Sequence, residues 1–126
     1  MGVPRKVTAT KRREIYFVRF DPAEGSEIQK TRPALILQND VSNRFSPVTI
    51  VAALSSKFDP GTLYPTEVIL PAGKDTGLSA PSVVLLNQLR TVDKHRLGRR
   101  LGVVSNAMMA KVDHALQISL GLVSLE

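Results

Sequence analysis

The run Val48–Leu54 (VTIVAAL) decides the fold, because it is almost wholly apolar and rich in β-branched residues. A short apolar run between turn-forming segments is typical of a strand with both faces buried. The preceding segment Asn39–Pro47 (NDVSNRFSP) predicts a loop, and Ser55–Pro65 predicts a polar connection interrupted by glycine and proline. We therefore place VTIVAAL at the centre of a β-rich domain.

Short strands are predicted on both sides of this run, since aromatic and β-branched residues cluster between turn signals. They are Glu14–Phe20, Ala34–Gln38, Thr66–Leu70, Ser82–Arg90 and a short strand in Leu97–Val104. A long hairpin loop, Phe20 to Arg32, separates the first two, and Thr91–Arg96 predicts a helix start or tight turn.

The C-terminal segment has a different periodicity. After a capping residue at Ser105 or Asn106, apolar and small residues recur at helical spacing and predict one amphipathic helix. The stripe comprises Met108, Val112, Ala115, Leu116, Ser119 and Leu120. Several strands followed by one helix predict an α+β fold, a small and strongly bent antiparallel sheet or barrel.

Length and composition limit the classes of protein. The 126 residues fit one domain, 13–126, preceded by a flexible basic tail, 1–12. The chain has no cysteine, and we find neither a signal peptide nor an apolar run long enough to span a membrane. We therefore expect a soluble protein in the cytoplasm.

The charge favours a polyanionic partner. Seventeen Lys and Arg against 11 Asp and Glu give a net charge of +6, a surplus that attracts nucleic acid or an acidic partner, although a merely well-solvated basic surface is the alternative. Aromatic residues make up only 5% of the chain. A ligand RNA would therefore be held by cations, amides and backbone groups more than by base stacking.

Candidate catalytic groups are few. The two histidines, His95 and His114, lie in separate elements without cysteines or an acidic cluster, which predicts neither a metal site nor a histidine acid–base pair. Arg32, between the long loop and a buried strand, could stabilise a phosphoryl transition state, or could pair with Glu24 or Glu27. Ser55 and Ser56 end the apolar strand, where serines are common turn formers.

Ordered sequence segments from about Glu14 to Leu122 resemble one known family. They are Tyr16-Phe17-Val18, Asp21-Pro22, Gly25-Ser26-Glu27, Arg32-Pro33-Ala34-Leu35, Gln38-Asn39-Asp40, Asn43-Arg44-Phe45-Ser46-Pro47, Ile50-Val51-Ala52-Ala53, Pro65-Thr66-Glu67-Val68, Gln88-Leu89-Arg90-Thr91-Val92-Asp93-Lys94 and Val112-Asp113-His114-Ala115-Leu116. This ordered set resembles the MazF/PemK toxin endoribonucleases of type II toxin–antitoxin systems, particularly the branch of Gram-positive bacteria.

The resemblance implies a fold, an activity and partners. The fold would be an SH3-like antiparallel β-barrel with short helical turns and a C-terminal helix, forming a homodimer. The activity would be metal-independent, sequence-specific cleavage of single-stranded mRNA without a cofactor. A ribose 2′-OH would attack the adjacent phosphate and leave 2′,3′-cyclic phosphate and 5′-OH ends. An antitoxin with an acidic C-terminal segment would inhibit the toxin.

The resemblance also implies site residues. The family's catalytic arginine corresponds to Arg32, and its catalytic threonine corresponds to Ser55, which keeps the hydroxyl but lacks the β-branch. By the resemblance, Gln88 corresponds to the family's base-contacting amide. Our further candidate RNA-binding residues are Ser26, Glu27, Asn43, Arg44 and Arg90. Glu27 could accept a proton or read a base, and Arg90 could contact phosphate or only solvate the sheet edge.

Two departures from the family pattern affect these expectations. Serine at position 55 leaves open a catalytically inactive dimeric module that binds RNA or an antitoxin. Arg13 stands where the family has a glycine, which predicts a turn or close backbone approach there.

Overall fold

The computed structural model describes residues 9–125 and comprises six strands and two α-helices. The elements are β1 (Glu14–Arg19), β2 (Thr31–Ile36), α1 (Asp40–Phe45), β3 (Val48–Ser55), β4 (Glu67–Leu70), β5 (Ser82–Asp93), β6 (Leu97–Val103) and α2 (Asn106–Ser119). Single 3₁₀ turns occupy Pro60–Thr62 and Lys94–Arg96. The predicted strands are confirmed with shifted ends: β2 begins at Thr31, inside the predicted loop Phe20 to Arg32, and ends at Ile36, and β5 continues beyond its predicted end at Arg90 to Asp93.

One antiparallel sheet contains all six strands in the order β4-β5-β3-β2-β1-β6. The register of β3 against β5 shifts between Ala52 and Leu54, so β5 bends and its first half also pairs with β4. The α+β class is confirmed. Within residues 9–125, β4 and β6 are the two edges of the sheet and do not pair, so the predicted closed barrel is not confirmed.

The sheet has a buried cluster on each face. On one face, Leu35, Ala52 and Leu54 pack with residues of α2. On the other, Ala34, Val51 and Ala53 form a second cluster, against which Ile28 of the β1–β2 loop (20–30) packs. Central strands with both faces covered explain why VTIVAAL lacks a regular polar alternation.

Helix α2 begins as predicted, because the Ser105 side chain accepts a hydrogen bond from the Met108 backbone N–H. Its most buried residues are Met109, Val112 and Ala115. Leu120, which the predicted stripe included, follows the helix and is 54% exposed. The amphipathic helix is confirmed, and its buried side is centred slightly differently from the prediction.

The predicted loop Asn39–Pro47 is wrong in part, because Asp40–Phe45 forms α1. The Asn39 side chain accepts a hydrogen bond from Ser42 N and caps this helix. Asn43 stabilises it from within. Its Nδ2 donates to Gln38 O at 2.8 Å, and its Oδ1 accepts from Thr49 Oγ1 at 2.7 Å.

Of the predicted tail 1–12, residues 1–8 lie outside the described residues. Arg12 is anchored: its Nε donates to Leu37 O at 2.8 Å, and its guanidinium forms an ion pair with Asp113 of α2. Arg13 has a φ of +83°, in the left-handed region. The turn expected at this family glycine position is therefore present, although the residue is an arginine.

Candidate active site and adjoining cleft

Arg32 lies near the start of β2, where Pro33 keeps it extended. Its Nε donates to Gln29 O at 2.9 Å, so the end of the β1–β2 loop orients the guanidinium. The alternative pairing of Arg32 with Glu24 or Glu27 does not occur within the described part of the chain. Arg32 therefore keeps a positive charge without a carboxylate partner at the end of the sheet.

Ser55 ends β3 at the same end of the sheet. Ala34 of β2 pairs with Ala53 of β3, and this register continued by two residues places Ser55 opposite Arg32. The alternation of side chains then puts both residues on the face of the second cluster. Ser55 Oγ accepts a hydrogen bond from Lys57 N at 3.2 Å, a local contact that a phosphate oxygen could replace.

The β1–β2 loop presents Ser26 and Glu27 to solvent. Glu27 Oε1 accepts a hydrogen bond from Glu24 N at 2.6 Å, and Glu27 N donates to Glu24 O at 3.0 Å. The carboxylate thus closes a tight turn within the loop. This exposed position is open to a ligand, but the turn already uses one carboxylate oxygen.

Gln88 and Arg90 of β5 hold the β1–β2 loop. Gln88 Oε1 accepts from Ile28 N at 2.9 Å. The Arg90 guanidinium donates to Phe20 O and lies 5.7 Å from the centroid of the Phe20 ring. These side chains therefore position the loop in this structure, and an RNA contact would have to compete with those bonds or use their remaining polar atoms.

Arg96, in the 3₁₀ turn Lys94–Arg96, also holds the β1–β2 loop. Its Nη1 donates to Arg19 O at 2.9 Å and to Asp21 O at 2.5 Å. Backbone carbonyls at the loop's base are therefore bound by Arg90 of β5 and by Arg96 of the following 3₁₀ turn, and the position of the loop depends on tertiary contacts.

Asn43 and Arg44 differ in exposure. Asn43 is 1% exposed, and its amide is engaged within α1 and β3. A side chain so buried cannot reach RNA without opening α1, so its placement does not support the predicted RNA contact. Arg44 is exposed, with its guanidinium 5.4 Å from the Phe45 ring centroid. Arg44 is therefore available to a ligand.

A cleft of about 370 Å³ adjoins Arg32, and we call it the Arg32 cleft. Its lining residues are Phe17, Arg32, Pro33, Leu54, Ser56, Gly77, Leu78, Ser79, Ala80, Ser82, Arg99 and Leu101. Ser56 lines it and Ser55 does not, because the cleft lies on the face of the first cluster, to which Leu54 and Leu78 belong, whereas the Ser55 side chain points to the other face.

Sequence reasoning missed Arg99. The pair Arg99-Arg100 in β6 could have indicated it, because consecutive residues of a strand point to opposite faces, so two adjacent arginines place one positive charge on each face of the sheet.

Two titratable groups have shifted pKa values. Burial, and secondarily the negative charge of Glu14, raises the pKa of Tyr16 above 10.0. Burial lowers the pKa of Lys94, whose ammonium donates a hydrogen bond to Asn43 O. Neither group lines the Arg32 cleft.

Residues 9–125 contain no group of three or more His, Asp and Glu residues that could hold a metal ion. None of their helices has the length and apolar character needed to cross a membrane.

Comparison with known proteins gives a consistent assignment. Residues 11–120 match the family model of the PemK-like, MazF-like toxin of type II toxin–antitoxin systems. The endoribonuclease EndoA of Bacillus subtilis (strain 168) is 47% identical over 113 residues, which cover 90% of this chain and 96% of EndoA.

Solved structures show the same architecture. MazF from Deinococcus radiodurans superposes with a TM-score of 0.76 at 28% identity, covering 90% of this chain and 97% of that one. A mycobacterial endoribonuclease in complex with its cognate antitoxin gives a TM-score of 0.74 at 27% identity, covering 92% and 99%. The family model and the 47% identical relative show that the chain belongs to the PemK-like, MazF-like toxin family of type II toxin–antitoxin systems.

Proposed function

We propose that this protein is an endoribonuclease toxin that cleaves single-stranded RNA without a metal ion, at the end of the sheet that carries Arg32 and Ser55. The observation that carries the proposal is the β2–β3 register, which, continued two residues beyond the pair of Ala34 and Ala53, would align an arginine without a carboxylate partner with a strand-end hydroxyl. The endoribonuclease EndoA, 47% identical, supports the reaction class.

The proposed reaction is an internal transesterification. The 2′-oxygen of one nucleotide attacks the adjacent phosphorus in line, and the bond from phosphorus to the 5′-oxygen breaks. The 2′-OH gives up its proton to a base, and the leaving 5′-oxygen takes up a proton. The products are a 2′,3′-cyclic phosphate and a 5′-OH.

Arg32 and Ser55 would act on the phosphoryl oxygens. A guanidinium stays protonated near neutral pH and offers several N–H donors, so Arg32 is suited to stabilise the charge of the pentacoordinate transition state. Ser55 Oγ would exchange its contact with Lys57 for a phosphate oxygen. Glu27, on the adjoining loop, is our candidate for accepting the proton of the 2′-OH.

Substrate recognition, inhibition and assembly belong to the same proposal. Ser26, Gln88, Arg90 and Arg44 are the candidate RNA contacts, with Gln88 and Arg90 also holding the loop that carries Ser26. Asn43 supports α1. We further propose that the protein is a cytoplasmic homodimer and that its sheet has an SH3-like curvature. We also propose that an antitoxin inhibits it by binding its acidic segment to the basic surface around Arg32.

The test is cleavage of a mixed-sequence single-stranded RNA in excess EDTA. Wild type should give discrete fragments with 5′-OH ends. Arg32→Ala should lower the rate about 100-fold or more, since one transition-state donor contributes roughly that factor. Arg19→Ala is the matched control, because Arg19 is an exposed arginine outside the cleft, and it should cut normally.

Variants of the two adjacent serines identify the hydroxyl. We expect Ser55→Ala to lower the rate about 100-fold and Ser55→Thr to retain activity, whereas Ser56→Ala should have a small effect on the rate. Folding of each variant is checked by thermal unfolding. Wild-type protein that binds RNA but never cuts it would replace the proposal with the inactive RNA-binding module. Cutting that requires a divalent ion would contradict the metal-free mechanism.

A further inference from the structure

The Arg32 cleft extends from the candidate active site across several strands. Phe17 of β1 pairs with Pro33 of β2, and Gly98 of β6 lies beside Phe17, where an added Cβ would be in ordinary van der Waals contact with Phe17 Cβ at 3.5 Å. Arg99 follows Gly98, and its guanidinium lies 5.7 Å from the centroid of the Phe17 ring. The lining of the cleft therefore runs from the β2 end that carries Arg32 and Pro33 to Arg99.

The charged residues that line the cleft are all positive. Arg32 and Arg99 line it, and no Asp or Glu belongs to its wall. In the part of the chain that the structure describes, neither arginine has a carboxylate partner. Arg100, the next residue, is instead paired with Glu14 at 2.6 Å. The uncompensated guanidinium of Arg99 on the wall, beside the strand end that carries Arg32, favours an anionic ligand, and arginine is well suited to phosphate.

The remaining lining suits a nucleoside. Phe17, Pro33, Leu54, Leu78 and Leu101 provide apolar surface, and Ser56 and Ser79 provide hydroxyls. A volume of about 370 Å³ lies near the lower end of the range of small-molecule sites, roughly 300–1,000 Å³. The cleft is therefore sized for one nucleotide and not for a folded partner.

The wall opposite the strands is held in place by backbone packing. A Cβ on Gly77 would lie 2.0 Å from Leu101 O, and one on Gly102 would lie 2.1 Å from Asp75 O. Val103 N also donates to Asp75 O at 2.8 Å. The loop 71–81 thus lies directly on β6, and the cleft is formed before any ligand binds.

We infer that the Arg32 cleft is a subsite for the nucleotide next to the scissile phosphate, with Arg99 contacting a phosphate of that nucleotide. This inference rests on the proposed function, because it takes Arg32 as the group at the scissile phosphate. It adds Arg99 as a binding residue that acts on substrate affinity and not on the chemical step.

The first experiment measures binding and cleavage separately. Binding is followed by anisotropy with a labelled oligonucleotide made non-cleavable by 2′-deoxy substitution at the mapped cut site, or throughout if the wild type does not cut. Arg99→Met should weaken binding about 10-fold at low salt and reduce the slope of log K against log salt by about 0.7. The kcat should change less than 3-fold, whereas KM should rise with the loss of binding. Lys111→Met removes one exposed charge of α2 outside the cleft and is the matched control.

The second experiment locates the contact on the substrate. Neutral methylphosphonate linkages replace, one at a time, the phosphates on either side of the cut site. In wild type, one replacement should weaken binding about 10-fold. In Arg99→Met, that replacement should have no further effect, because the contact is already lost. If the same replacement still weakens binding of Arg99→Met by the same factor, the subsite assignment is overturned.

The outcomes separate this inference from the proposed function. If wild type cuts, Arg32→Ala does not, and Arg99→Met behaves like Lys111→Met, the subsite alone is overturned. If wild type never cuts but binds the 2′-deoxy oligonucleotide with Arg99-dependent affinity, the nuclease fails and the phosphate contact stands. If Arg99→Met weakens binding of a glutamate-rich peptide but not of the oligonucleotide, the cleft is an acidic-peptide site and the inference is overturned.

Discussion

The contact between β6 and the loop 71–81 yields a quantitative prediction for Gly102→Ala. An added Cβ would lie 2.1 Å from Asp75 O and 2.5 Å from Thr76 C, far inside ordinary van der Waals separation. Both partners are backbone, so no side chain can rotate away. The loop must therefore move from the strand, and the bond from Val103 N to Asp75 O, 2.8 Å in the present structure, must lengthen or break.

The expected cost follows from these contacts. Overpacking of a well-packed region costs about 1–3 kcal/mol, and loss of one hydrogen bond adds about 1 kcal/mol. We expect Gly102→Ala to lower the free energy of unfolding by about 2–4 kcal/mol. For a domain of this size, that corresponds to a decrease in Tm of roughly 10 °C.

Denaturant unfolding followed by circular dichroism measures this change. Gly61→Ala is the matched control, because its added Cβ would meet only Asp59 Oδ1, at 3.4 Å. The control should change stability by less than about 1 kcal/mol. If Gly102→Ala is as stable as Gly61→Ala, the loop does not lie on β6 as described, and the preformed wall of the Arg32 cleft is refuted with it.

Two further predictions concern the first strand. Arg13 has a left-handed φ of +83°, at which an alanine costs about 1–2 kcal/mol, more than the entropic cost of a glycine. Arg13→Gly should therefore be more stable to denaturant than Arg13→Ala. The reverse order would contradict a left-handed turn. The raised pKa of Tyr16 stabilises the fold below about pH 10, and this stability is lost as pH rises further, because the unfolded chain releases the phenol proton first. Tyr16→Phe should therefore reduce the decrease in the free energy of unfolding above pH 10, whereas Tyr64→Phe, at a residue 70% exposed, should not. If the free energy of unfolding depends on pH in the same way in both variants, Tyr16 is not the cause.

Local patterns predicted most of the elements. The apolar run Val48–Leu54 became β3, and Ser105 caps α2 as its side chain and position indicated. Such features depend on residues a few positions apart, so the sequence by itself contains them. The prediction was wrong at α1, although its capping residue Asn39 and the contacts of Asn43 with Gln38 and Thr49 also lie within a few positions, because spacing alone does not distinguish a buried asparagine from an exposed one in a polar segment.

The sequence by itself determined the fold class, the basic charge and, through its resemblance to a family, the assignment of Arg32 and Ser55. Only the tertiary structure decided which side chains are accessible and what they contact. Asn43 is buried, Gln88 bonds a loop 60 residues away in the chain, and Arg99 reaches the cleft beside Arg32. Such burial and contacts arise where strands that are distant in sequence become neighbours. The spacing of residues along the chain does not indicate which strands and faces come together in the folded sheet.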